Sequence, residues 1–257
     1  MEAWFQQTGH GVRFDWGPVG AERLVAGGVH CLVVVDVLSF TTAVGVAVEA
    51  GTRVFPYRWR DETAAPYAAS LKADLAVGRR MASPSSPWTL SPAALRRAPY
   101  TPRLVLPSPN GSTVAAAAGD APVVAACLRN ASAVGRWLIS QGYGGPDRPV
   151  GVVAAGERRP DGSLRPALED LLGAGAVLAA LRKASATDRP PALSPEASAA
   201  AATYTATADV PAALAACASG LELASGGFPE DVAVASELDA SAVVPLLSEG
   251  SFTAAAN

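Results

Sequence analysis

Residues 31–37 read Cys-Leu-Val-Val-Val-Asp-Val, an unbroken apolar run closed by a single acid. A run this short, continuous and rich in β-branched residues is a strand covered on both faces, as in the middle of a parallel sheet. The segment from Thr41 to Ala50 then carries Val44 and Val48 at helical spacing, with Gly51 in the position that stops a helix. One strand, one acid at its end and one helix make a unit that the chain goes on to repeat.

Short strands are expected at Arg53–Phe55, Leu75–Val77, Arg103–Leu106, Val123–Ala126 and Val150–Ala154. Helices are expected after Asp61, after the turn Pro107-Ser108-Pro109-Asn110-Gly111, after Arg129-Asn130, and from Ala167 to Leu181. Strands alternating with helices of this length imply an α/β fold, a three-layer α/β/α arrangement around a mostly parallel sheet. Beyond a break at Asp188-Arg189-Pro190-Pro191 the pattern changes. Ser194-Pro195 is an N-cap followed by Pro, helices are expected at about 195–206, 211–224 and 229–237, and a short strand at Ala242–Val244. The expectation is a single domain over 1–257, with a sheet core at about 12–182 and a helical C-terminal region at about 194–247.

Composition narrows the function. The 257 residues carry 20 basic and 23 acidic side chains, a net charge of −3, so neither nucleic acid nor an anionic membrane is an expected partner. Cys31, Cys127 and Cys217 are widely spaced, with no CxxC pair for zinc and no disulfide framework. The N-terminal residues lack the basic and apolar regions of a signal peptide, and no apolar run approaches the ~20 residues of a membrane helix, so a cytoplasmic protein is expected. Self-association is left open.

In open parallel sheets, ligands bind where strands end and helices begin. Asp36, Gly78-Arg79-Arg80, Ser108 to Ser112, Arg129-Asn130, and Gly156-Glu157-Arg158-Arg159 with Glu169-Asp170 all fall at such ends. Acids, arginines and helix N-termini meeting on one edge suit a phosphate and a divalent cation. Asp36 reads equally as an acid bonding loop amides and as a metal ligand or nucleophile. Gly111 lets backbone approach an anion, and Ser112 opens a helix whose free N–H groups favour negative charge. Asn130 reads in the same two ways, as a turn cap or an anion contact. Glu169 and Asp170 are adjacent on a helix and point in different directions, so one of them is expected to face the site.

Asp36-Val37-Leu38-Ser39-Phe40-Thr41-Thr42, Pro109-Asn110-Gly111-Ser112, Leu128-Arg129-Asn130-Ala131, Ala155-Gly156 with Leu168-Glu169-Asp170 and Gly173-Ala174-Gly175, and Ser219 to Leu223 with Gly227-Phe228, Asp231-Val232 and Val244-Pro245 follow one another in a fixed order. In that order the series resembles the 2-phosphosulfolactate phosphatase family over roughly residues 30–247. The resemblance implies a Mg²⁺-dependent hydrolysis of 2-phospho-3-sulfolactate, in that family a step of coenzyme M biosynthesis. It implies Mg²⁺ held by Asp36 and by Glu169 or Asp170, and a small phosphorylated substrate held near Asn110, Gly111 and Ser112 by Arg79, Arg80, Arg129, Asn130 and Arg158. Ser39 and Leu221 stand where the family pattern has Arg, so bidentate anion contacts must come from elsewhere in this chain. Two other readings stand beside it: a catalytically degenerate anion-binding protein of the same fold, and an isochorismatase-like cysteine hydrolase using Cys127 with Lys72.

Overall fold

In a computed structural model, residues 3–59, 61–185 and 190–256 are described. Asp188 and Arg189 of the expected break lie outside them. The first strand and helix, β1 (Val12–Trp16) and α1 (Gly17–Ala26), precede the element that the apolar run predicts, β2 (Cys31–Val35). Every side chain of β2 is fully buried. There follow α2 (Phe40–Glu49), β3 (Arg53–Tyr57), α3 (Ala64–Ser70), β4 (Asp74–Leu75), α4 (Pro92–Arg97), β5 (Arg103–Pro107), α5 (Gly111–Ala116), β6 (Val123–Ala126), α6 (Ala131–Ser140) and β7 (Val150–Ala154). A two-stranded ribbon, β8 (Glu157–Arg158) with β9 (Leu164–Arg165), leads into α7 (Leu168–Ala184).

The sheet splits its core by side-chain parity, as a period of two requires. Val33 and Val35 of β2 point into one cluster with Val134 of α6, Leu178 of α7 and Ala200 in the segment after residue 194. Leu32 and Val34 point into the other, with Leu24 of α1, Phe40 and Val44 of α2 and Val114 of α5. Helices on both faces of one sheet give the three layers. Glycine permits the closest approaches: a Cβ on Gly175 would stand 2.3 Å from the Ala200 carbonyl oxygen.

The C-terminal region departs from expectation. Helices α8 (Pro195–Ala206), α9 (Val210–Ala216), α10 (Ala218–Ser225) and α11 (Pro229–Ala235) are present. However, the single helix expected at 211–224 is broken at Cys217, whose sulfur caps the Gly220 amide. The chain then forms a hairpin, β10 (Pro245–Ser248) and β11 (Ser251–Ala254), rather than a lone strand at 242–244. Glu249 and Gly250 both have positive φ, 50° and 75°, as a two-residue hairpin turn demands.

That hairpin sits inside the sheet. The strand order is β1-β7-β2-β6-β10-β11-β3-β5-β4, with β10 antiparallel to β6 and β11 antiparallel to β3. Apart from these and the antiparallel hairpin β10–β11 itself, the pairings in this sheet are parallel. The sheet core therefore does not end near residue 182. Two parallel halves, β1-β7-β2-β6 and β3-β5-β4, are joined through residues 245–254. The apolar Leu246, Leu247 and Phe252 supply the fit, Phe252 lying fully buried edge-on to Phe40 at 6.2 Å.

Candidate active site

Asp36 follows the last residue of β2 and stays buried because the backbone claims its carboxylate. Oδ1 accepts the amide of Phe40, the first residue of α2, at 3.1 Å, and Oδ2 accepts the amide of Gly111, the first residue of α5, at 2.8 Å. Two helix starts thus orient one carboxylate. Only glycine fits at 111, since a Cβ there would lie 2.3 Å from the Phe40 ring and 2.7 Å from Asp36 Oδ2. The reading of Asp36 as an acid bonding loop amides holds, and the same carboxylate lines a cavity of about 350 Å³.

The adjacent acids on α7 divide their work. Asp170 accepts the Val37 amide at 2.7 Å on Oδ1 and the Gly156 amide at 2.8 Å on Oδ2, clamping the loops that leave β2 and β7. Burial, with Asp36 and Glu169 nearby, pushes its carboxyl well above the ordinary carboxylate range. Glu169 is equally buried and accepts the Cys217 thiol at 3.2 Å. Burial raises that thiol to about 11, so it stays protonated as the donor. The third acid is Glu157, at the start of β8. It lines the cavity and accepts Asn110 Nδ2 at 2.9 Å. Burial first, then the charges of Asp36 and Glu169, push its pKa up to about 7, against the pull of Asn110 and Arg165.

Arg79 faces these acids. Its Nε donates to Asp231 at 2.8 Å and its Nη2 to Ser39 Oγ at 2.7 Å, and its guanidinium lies 5.7 Å over the Phe228 ring. Asp231 is itself fixed by Ser91 and the Ala93 amide. So α11, far along the chain, sets an arginine at the position left open by the small side chain of Ser39.

The structure brings Asp36, Arg79, Asn110 and Arg158 onto one cavity wall, with Gly111 bonded to Asp36. Ser112 is buried beside them, its Oγ without a hydrogen-bond partner among the described residues. Other expected residues are used elsewhere. Arg80 is exposed and outside the wall. Arg129 is buried in ion pairs with Glu49 and Glu237. Asn130 accepts the Cys127 amide and donates to the carbonyls of Ala125 and Val243, tying the end of β6 to the segment before β10. Cys127 is fully buried, burial raises its thiol, and Lys72 is exposed at a positive-φ turn. A thiol held neutral and covered is no nucleophile. Glu157, Ser39, Ser219 and Glu222 also belong to the wall; the sequence placed Glu157 in a strand-end group and the other three within motifs, but assigned none of them a contact with substrate or metal.

Carboxylates and arginines share this wall as the sites of phosphate-ester chemistry require. The sequence pattern of the 2-phosphosulpholactate phosphatases matches residues 22–250, nearly the whole chain. The chain belongs to that family. No curated protein matches it. Family membership makes it a phosphoric monoester hydrolase with an α/β fold, and no helix among the described residues is long and apolar enough to cross a membrane.

A divalent cation is implied by the family. Among the described residues no three acidic, histidine or cysteine side chains form a ready cage. Mg²⁺ does not need one: it takes one or two carboxylates and fills its shell with waters and substrate oxygens. Asp36, oriented and on the wall, offers a hard oxygen donor of the kind such an ion takes, whereas Glu169 is buried off the wall and bonded to the Cys217 thiol. Asp170 is off that wall, and its two oxygens accept backbone amides as those of Asp36 do.

Proposed function

We propose that the chain is a Mg²⁺-dependent phosphatase hydrolysing 2-phospho-3-sulfolactate, or a closely related phosphorylated hydroxy acid, to the free hydroxy acid and phosphate. The observation that carries this reading is the single wall shared by Asp36, Glu157, Arg79 and Arg158. Asp36 would hold the ion, with Glu169 or Asp170 as the second carboxylate. When bound, Mg²⁺ supplies charge neutralisation at the phosphate oxygens.

The chain's own groups do the rest. Arg79, fixed by Asp231, presents a guanidinium to the acid group of the substrate, and Arg158 adds a second positive charge at the mouth. Hydrolysis joins a water oxygen to phosphorus and breaks the ester P–O bond, leaving an alkoxide that needs a proton. Glu157 is the wall carboxyl that burial raises to about 7 in the ion-free protein, which suits it to carry the proton. It gives its proton to the alkoxide oxygen and recovers one from the water that has joined the phosphate.

The test is phosphate release from 2-phospho-3-sulfolactate, with and without chelator, by the wild type and Asp36→Asn. Chelation is expected to stop turnover reversibly. The Asn variant is expected to lose about a thousandfold in kcat, ~4 kcal/mol, and to keep a cooperative melt at a lowered midpoint, because its NH2 cannot accept one of the two amides that Asp36 accepts. Turnover that survives chelation removes the metal from the mechanism, and tight binding without release favours the anion-binding alternative.

A further inference from the structure

The cavity holding Asp36 has a neighbour. A second chamber of about 260 Å³ adjoins it, and Arg79 and Leu90 line both. The wall of the second chamber is mostly apolar: Leu75, Ala76 and Val77 from β4 and beyond, Ala64 at the start of α3, and Pro107 at the end of β5. Asp61 and Arg79 are its charged wall positions among the described residues, and Asp61 is turned to the Thr63 amide and hydroxyl. Arg79 is not a plug able to swing into this space, because Asp231, Ser39 and the Phe228 ring hold its guanidinium at the seam. One chamber is therefore lined with acids and arginines, the other with hydrocarbon, and a fixed cation stands between them. Pockets that combine an apolar lining with a few placed polar groups are those that bind small organic ligands.

We infer that the phosphorylated hydroxy acid taken by this chain carries an apolar substituent of a few carbons, seated in the second chamber while Arg79 holds the acid group at the seam. The inference rests on the phosphatase reading and narrows its substrate class. A sulfonate placed in the second chamber would lose its hydration with no partner beyond Arg79. A methylene placed there leaves water, which is worth about fourfold in affinity or in kcat/KM.

The experiment compares the 2-phosphate esters of lactate, 3-sulfolactate, 2-hydroxypentanoate and 2-hydroxyhexanoate with the Mg²⁺-supplied wild type. The pentanoate ester, two methylenes longer than lactate, is expected to be turned over about fifteenfold more efficiently than the lactate ester. Turnover of the sulfolactate ester with a flat or falling alkyl series overturns the inference and leaves the phosphatase reading standing. Turnover of none of the esters defeats that reading instead. Calorimetry with methyl-, propyl- and pentylphosphonate then decides the chamber, and affinity independent of chain length overturns it. Val77→Phe and Ala64→Leu, each checked for a cooperative melt, should bring the pentanoate-to-lactate ratio towards one. An unchanged ratio in both folded variants also overturns the inference.

Discussion

Arg79 and Arg129 stand at corresponding places in the sequence, each just beyond a strand-like segment, and the fold uses them in opposite ways. The Arg129 side chain is 4% exposed and shared between two carboxylates, Glu49 and Glu237. The Arg79 side chain is 18% exposed and paired with one, Asp231, itself almost wholly buried. Arg129 joins the end of α2 to the segment after α11 with its charge spent. Arg79 is oriented by its partner and still offers positive charge to a cavity. An arginine at a strand end is thus informative only together with the count of acids that reach it.

The largest expected effect lies on the structural side of this contrast. Arg129→Ala should lower stability by about 2 kcal/mol, because it removes a buried guanidinium and its packed stem, while exposed Glu49 is solvated by water and Arg96 remains to pair with Glu237. Denaturant melts check the loss, and kcat/KM for the phosphate ester should shift less than threefold, within about 0.7 kcal/mol. A large activity loss in the folded variant would break the distinction. Arg79→Ala should raise KM about tenfold, ~1.4 kcal/mol, with a smaller change in kcat, as expected for a group that holds substrate in ground and transition states alike. An unchanged KM for every anionic ester would place Arg79 with Arg129 as structural.

The smallest effect concerns Glu157. Its folded pKa, about 7, lies above the ordinary 4.5, so the folded protein holds a proton that the unfolded chain releases. In the metal-free protein, stability should therefore fall as pH rises from about 4.5 to about 7, by ~1 kcal/mol once partial exposure is discounted. Glu157→Gln should flatten that slope and melt higher than the wild type above pH 7. A slope that survives the substitution would assign the proton to another acid.

Much of the fold was legible because its signals are local. The apolar run at Cys31–Val35, the capped start at Ser194 and the repeated strand-then-helix spacing need no distant partner to be read. The strand at Val12–Trp16 was missed: it alternates with Arg13 and Asp15, and Arg13 is buried by bonds to the carbonyls of Gln6, His10 and Gly27. Of the site, Asp36, Asn110 and Gly111 were legible as an acid and a turn at strand ends. Glu157 was not singled out, because its raised pKa comes from burial and from Asp36 and Glu169, which approach only in three dimensions.

The sequence by itself determined the alternation of elements, the identity of the strand-end acids and the family to which the order of motifs belongs. Tertiary structure alone decided three things. It placed residues 245–254 between two parallel halves, a pairing that depends on which strand edges lie open rather than on the hairpin's own residues. It assigned Asp170 to clamp backbone amides of Val37 and Gly156 and turned Glu169 to the Cys217 thiol, since adjacent residues on a helix diverge. It also turned Arg79 towards the site and Arg129 away from it. Charge is a property of the residue, but the field it projects depends on the carboxylates that folding brings within reach.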